Sequence, residues 1–269
     1  MYYSDKVDRI AALATEQRAV LDYCRTLSPM EWALPSGCSG WTVKDVVAHM
    51  AAGYHGPFQL SWIQRFAKAD VAEQAAEVDV AARQYVDPAG VLAEFEKWGR
   101  RFLRVQGVLA RIPRLAWSLK MPAADLGAYP VGSVLSAFVF DHHTHLRHDI
   151  APAIGRSASP PGPDCMTVTM EWMLAGLEQM CRNQMTWVDR PLTLILDGPG
   201  GGIWSVEQAG GGVLAISEGD SLQSAATING LTEEFPLWGT TRQPWRDCSV
   251  TLSGDRDYAT RFLDAMNII

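Results

Sequence analysis

The sequence predicts an α+β protein in two parts: an up-and-down four-helix bundle, followed by a small α+β domain with an antiparallel sheet. Three observations predict it. Apolar residues recur at helical spacing through most of the chain to about residue 187. From Arg190 the texture changes to short β-branched and apolar runs split by glycines. All six histidines fall in two short stretches, WTVKDVVAHMAAGYHG and FDHHTHLRHDI, the pattern expected where helices of a bundle meet around a shared point. The expected domains are residues 1–187 and 188–269.

Taken in order, residues 5–27 carry Val7, Ile10, Leu13, Val20, Leu21 and Cys24 on one helical face, and Ser28 with Pro29 closes it. After the polar loop LPSGCSGW, Thr42 followed three residues later by Asp45 is a capping-box signature. The helix it starts has Val43, Val46, Val47 and Met50 as its stripe, with His49 beside that stripe. Pro57 opens a helix to about Ala69, and residues 88–111 form a long one between Pro88 and Pro113. Arg100, Arg101, Arg104 and Arg111 share that helix with Glu94 and Glu96, a mixed-charge pattern that reads as a solvated face.

RLAWSLKMPAADLGAYPVG is a long connection of the kind that makes a lid or pocket wall. Helix resumes near Val131 and runs through Val134, Leu135, Phe138 and Val139 into the histidine cluster. APAIGRSASPPGPD is a linker or surface loop, and residues 164–186 form a Met-rich helix counted with the bundle. LTLILDG, IWSVEQ, GVLAISEG and LQSAATING read as strands, with PGGGI and AGGGV as turns between them because neither has the GK[ST] of a phosphate loop. GDRDYATRFLDAM is a capped closing helix.

The net charge of −7 argues against a nucleic-acid or anionic-membrane partner, which needs a concentrated positive face. The first ten residues lack the apolar run of a signal peptide, and no stretch is long and apolar enough to span a membrane, so the expected location is the cytoplasm. Five widely spaced cysteines fit reduced thiols better than a disulfide framework.

Chemistry concentrates in Phe140–Ile150. In a helix, Asp141 and His145 are i and i+4, with His148 a turn further along the same face. Asp141 and His145, meeting His49 from a second helix, supply three ligands to a divalent metal and leave a coordination position open. Two other readings stand beside this one: a histidine oriented by Asp141 or Asp149 as a metal-free general base, or a polar, solvated helix end. No G-x-S-x-G elbow argues for a serine nucleophile.

SGWTVKDVVAHM and the Asp141-x-x-x-His145 spacing resemble the two signatures of the mycothiol-dependent maleylpyruvate isomerase family, whose bundle is of the DinB-like metalloenzyme type. LTLILDG, INGLTEEFPLWGTTR and GDRDYATRFLDAMN resemble the small α+β domain that follows the bundle in that family. The resemblance implies His49, Asp141 and His145 as metal ligands, zinc as the metal, and the low-molecular-weight thiol mycothiol as cofactor. It also places an acid past the ligand histidine and an arginine in the C-terminal domain. The nearest matches are Asp149 and Arg242, with Arg242 serving catalysis and cofactor binding.

Two departures stand out. The carboxylate ligand of the family is typically glutamate, one methylene longer than Asp141. The acid commonly lies three residues past the ligand histidine, where this chain has His148. That leaves His148 a catalytic candidate, and makes His148 and His142 candidates to replace a ligand. The function implied is a metal-dependent, thiol-using transferase or isomerase, a monomer or homodimer acting on a small electrophile between the two domains. A non-catalytic small-molecule-binding protein and a metal-independent histidine acid–base enzyme are the alternatives.

Overall fold

Asp8 starts the first helix: its carboxylate accepts the Ile10 and Ala11 amides at 2.9 and 3.1 Å, satisfying N–H groups that have no partner within the helix. The structure is a computed structural model that describes residues 7–68, 72–110, 119–209, 214–221 and 223–268. Its contacts divide the chain into two units that meet between Pro161 and Gly162.

In the first unit, α1 (Arg9–Cys24) is followed by a short α2 (Pro29–Trp32), in which Ser28 makes a capping box with Glu31. Ser28 therefore starts a further turn as well as following the end of α1. The next helix, α3 (Val43–His55), begins with the expected Thr42 and Asp45 box. Then come α4 (Leu60–Lys68), α5 (Ala72–Ala81) and α6 (Pro88–Leu109), the last capped by Asp87 with Pro88 at its first position.

Helix α5 has no counterpart in the sequence reading, because AEQAAEVDVA lacks a clear apolar stripe. It is fixed from outside: Trp41 Nε1 donates to Glu77 at 2.9 Å, and Trp62 and Arg65 donate to Asp79. Of the long connection, residues 111–118 lie outside the described residues. The remainder is a two-stranded ribbon, β1 (Lys120–Pro122) against β2 (Ala128–Pro130).

Helices α1, α3, α6 and α7 (Ser133–Thr144) make the four-helix bundle, α3 lying on α6 and α1 on both α6 and α7. Val43, Val46, Val47 and Met50 of α3 are buried, each such side chain worth about 1.5–3 kcal/mol on leaving water. An aromatic cluster of Tyr54, Phe95, Phe102 and Phe138 fills the middle, and the His142 ring packs into it 5.0 Å from Tyr54 and 5.2 Å from Phe95.

In the second unit, α8 (Pro163–Met180) packs with the sheet and the helices that accompany it. The Met-rich helix thus belongs with the sheet and not with the bundle, and the compact units part well before the boundary expected at 187/188. Its stripe fits there: Met173 reaches Gly239, where an added Cβ would come within 2.7 Å of the methionine methyl. At its start, an added Cβ on Gly200 would strike the backbone of Thr167 at 2.6 Å, and Gly200 also takes φ +75°, so the PGGG turn needs glycine on both counts.

The sheet comprises β3 (Leu192–Asp197), β4 (Gly202–Gln208), β5 (Leu214–Glu218), β6 (Ala226–Leu231) and β7 (Thr251–Gly254), in spatial order β5-β4-β3-β6-β7. It is antiparallel except for β3 and β6, which run parallel with Leu192 opposite Ala226. The sheet is thus mainly antiparallel, as expected, with this one parallel pair. β4 and β5 form a hairpin outside β3, so the chain reaches β6 at the far edge of β3 in the same direction. The AGGGV turn falls largely on residues 210–213, outside the described residues. Helices α9 (Phe235–Gly239) and α10 (Arg256–Asp264) complete the unit, α10 capped by Asp255.

Candidate metal centre

Two elements of the bundle bring the site together. His49 comes from the middle of α3, Asp141 from the end of α7 and His145 from the start of the turn that follows it. His49 Nε2 lies 3.2 Å from Asp141 Oδ1 across 92 residues of sequence, and His145 Nε2 lies 3.3 Å from the same oxygen. The two imidazole rings stand edge to face with centroids 5.3 Å apart.

These separations suit a metal. Tetrahedral bonds of about 2.0–2.1 Å hold ligand atoms about 3.3–3.4 Å from one another. Another group, Cys38, His145 and Asp149, also lies within coordinating reach. There the His145 Nδ1 to Asp149 Oδ2 distance is 2.7 Å, short for two ligands of one ion and right for a hydrogen bond to a charged group.

The tautomer of His145 favours the same assignment. Asp149 is 1% exposed at its side chain and, when ionised, can only accept, so the proton of the neutral His145 ring sits on Nδ1. That leaves the Nε2 lone pair facing Asp141 Oδ1, acceptor against acceptor, an arrangement that needs a cation or a further proton between them. A ligand histidine held at its other nitrogen by a carboxylate is the usual outer-sphere arrangement of metal sites.

In protonic form the centre is strongly coupled. Burial alone would raise the Asp141 carboxyl, but the His145 charge and hydrogen bonds from His142, His145 and His49 outweigh it and hold it well below the usual carboxylate range. Burial alone would lower His145, but Asp141, Asp149 and Cys38 outweigh that and hold it well above the ordinary imidazole value.

A change of helix type sets which residues take part. His145–Ile150 is a π-helical turn, seen in the Ala151 amide bonding back to Leu146 carbonyl at 3.0 Å. A π turn holds more residues than an α turn and so advances each residue by a smaller angle, which keeps Asp149, the fourth one on, below His145 and carries His148, the third, off that line. His148, expected on the ligand face, instead meets His143 edge to face with centroids 5.6 Å apart. His143 is buried, and burial, Arg147 and His148 push its imidazole well below the ordinary value.

The turn is clamped from outside by Gly37, whose amide donates to the Asp149 carbonyl at 2.9 Å. A Cβ at Gly37 would lie 2.7 Å from Asp149 Oδ1 and 2.9 Å from its Cα, so only glycine lets the loop come this close. Arg242 lies just past α9 in the second unit, its Nη1 donating to Thr240 Oγ1 at 2.9 Å.

Sequence reasoning missed Cys38 and the Trp41 ring, and offered His142 only as a replacement ligand. Cys38 Sγ is 3.7 Å from His145 Nδ1, the Trp41 ring is 5.3 Å from His49, and His142 Nδ1 is 3.1 Å from Asp141 Oδ2. The density of Ser, Gly and Cys in SGCSGW just before a capping box is the only signal that pointed to the first two.

Residues 13–151 match the family described as mycothiol maleylpyruvate isomerase N-terminal domain. The chain belongs to this family. Among solved structures it is similar to the mycothiol-dependent maleylpyruvate isomerase, with 17% identity, a TM-score of 0.57 and 91% of each chain covered. It is likewise similar to a histidine-to-alanine mutant of that enzyme, at 16% identity, a TM-score of 0.56 and the same coverage. At these identities the likeness establishes a shared fold. A search of curated proteins finds no match. Among the described residues, no helix is long and apolar enough to cross a membrane.

Proposed function

We propose that this protein is a mycothiol-type, thiol-dependent isomerase or S-transferase of a small electrophile, with a divalent ion, zinc first among the candidates, held by His49, Asp141 and His145. The observation that supports it most is the meeting of three acceptor atoms from two helices at the spacing of zinc ligands. Bound zinc would lower the pKa of a thiol and hold its thiolate as a nucleophile near neutral pH.

The chain's own residues do the rest. Asp149 keeps the proton on His145 Nδ1 and so presents Nε2 to the site. Asp141 supplies the negative charge that makes the two-histidine set suited to a dication. His49 and Asp141 are each 27% exposed at their side chains, so the face they form is open to reactants, and the Trp41 ring beside His49 adds an apolar wall. Arg242 enters the proposal as a cation for the cofactor or for an anionic substrate.

Elemental analysis of the purified protein is expected to give about one zinc per chain, lost in His49→Ala and His145→Ala. Mycothiol-dependent turnover of maleylpyruvate, the substrate named for the similar enzyme, should cease on chelation and return with zinc. Turnover that survives chelation but not His145→Ala would instead establish histidine acid–base chemistry. A metal-free, inactive protein would establish a binding role.

A further inference from the structure

We infer that His142 is a positioning residue that holds the second oxygen of Asp141 and so confines the carboxylate to one ligand atom; this rests on the metal reading above. Asp141 divides its oxygens. Oδ1 faces His49 and His145 at 3.2 and 3.3 Å, while Oδ2 faces His142 Nδ1 at 3.1 Å. An ionised carboxylate only accepts, so the His142 proton sits on Nδ1 and is donated to Oδ2.

The ring cannot readily swing away. His142 is fully buried, with Tyr54, Phe95 and Phe138 packed at centroid distances of 5.0, 5.2 and 6.1 Å. Its Nε2 has no protein hydrogen bond among the described residues. The opposite tautomer would put an unpaired N–H in that aromatic cage and lose the bond to Asp141, so burial selects the proton position that serves the carboxylate.

The consequence concerns coordination number. A carboxylate free to rotate can chelate an ion through both oxygens and fill the position a thiol must occupy. With Oδ2 engaged by His142, Asp141 offers Oδ1 alone and the open position is kept. Asp141 has one methylene fewer than glutamate and less freedom to adjust by itself, which makes an anchor from the adjacent residue effective.

The test uses the full-length protein and three variants, loaded with Zn2+ for affinity by chelator competition and with Co2+ for the visible spectrum. His142→Asn places an amide N–H near the position of Nδ1, His142→Gln moves it away, and His142→Leu removes it. The expected result is near-native zinc affinity in His142→Asn and a loss of about 10–100-fold in His142→Leu and His142→Gln, the range for outer-sphere partners. The Co2+ spectrum should keep its intense four-coordinate bands in the unaltered protein and His142→Asn, and weaken toward a higher-coordinate form in the other two.

Should His142→Leu fail to fold, the contrast between the Asn and Gln variants decides. Equal affinity and equal Co2+ spectra in all folded variants would overturn the role of His142 while leaving the metal site standing. An unaltered protein that takes up neither ion would overturn the metal reading and this inference with it.

Discussion

Replacing Glu16 by glutamine probes how the bundle holds the turn that carries the site. Arg147 lies on that turn between His145 and Asp149, and grips Glu16 of α1 at two points, Nη1 to Oε2 at 2.6 Å and Nη2 to Oε1 at 3.3 Å. Its Nε also donates to the Ser159 carbonyl at 3.0 Å. The side chains are 1% and 10% exposed, so the solvent screening that reduces surface pairs to about 0–1 kcal/mol does not operate. Removing one charge leaves the other buried without compensation, at a cost of about 3–5 kcal/mol.

Glutamine still offers one oxygen to the guanidinium, so Glu16→Gln should fall near the low end, about 3 kcal/mol. Urea denaturation followed by circular dichroism measures the loss. The double variant Glu16→Leu with Arg147→Met removes both charges, and should recover more than half of it, because an apolar replacement of a buried pair is close to neutral. A single-variant loss under about 1 kcal/mol, or a double variant as unstable as the single, would refute the reasoning.

Other consequences follow from the same geometry. Glu94 accepts from Arg83 Nε and Nη2 and from His55 Nδ1; burial alone would raise its carboxyl, but these partners hold it below the usual range. A carboxyl depressed in the folded state stabilises above its unfolded pKa of about 4.3, and that stability is lost as pH falls through the folded value. The stability of Glu94→Gln, measured by denaturation from pH 7 to pH 3, should therefore fall less steeply on the acid side, and an unchanged slope would count against the network. Among the thiols, burial pushes Cys24 up to about 12 and Cys181 to about 11, whereas Cys38 is only half-buried. Iodoacetamide at pH 8 should label Cys38 well before either, as read by peptide mass spectrometry, and early labelling of Cys24 would contradict the packing of α1.

Much of this molecule was legible in one dimension. The cap at Thr42 and Asp45, the bundle helices and the turn to strands after Arg190 depend on local chemistry, on which N–H groups need a partner and which faces repel water. Local composition likewise marked His49, Asp141 and His145, because histidines crowded into two segments stand out in any reading. Helix α5 stayed hidden because its register is held by Trp41, Trp62 and Arg65 from elsewhere and not by a stripe of its own. The parallel pairing of β3 with β6 and the placement of α8 beside the sheet also depend on partners distant in sequence.

At the site, the residue types were determined by the sequence and their roles by the fold. An α-helical count leaves His148 and Asp149 on either side of the line below His145, but a π turn carries His148 off that line and keeps Asp149, and no local signal in HLRHDI announces the extra residue in that turn. The close approach of Gly37, the buried grip of Glu16 on Arg147 and the aromatic cage around His142 hold that turn and its neighbours in place, and all three depend on residues brought near only when the bundle closes. The sequence names the ligand candidates, and the packed bundle decides which nitrogen and which oxygen each one presents.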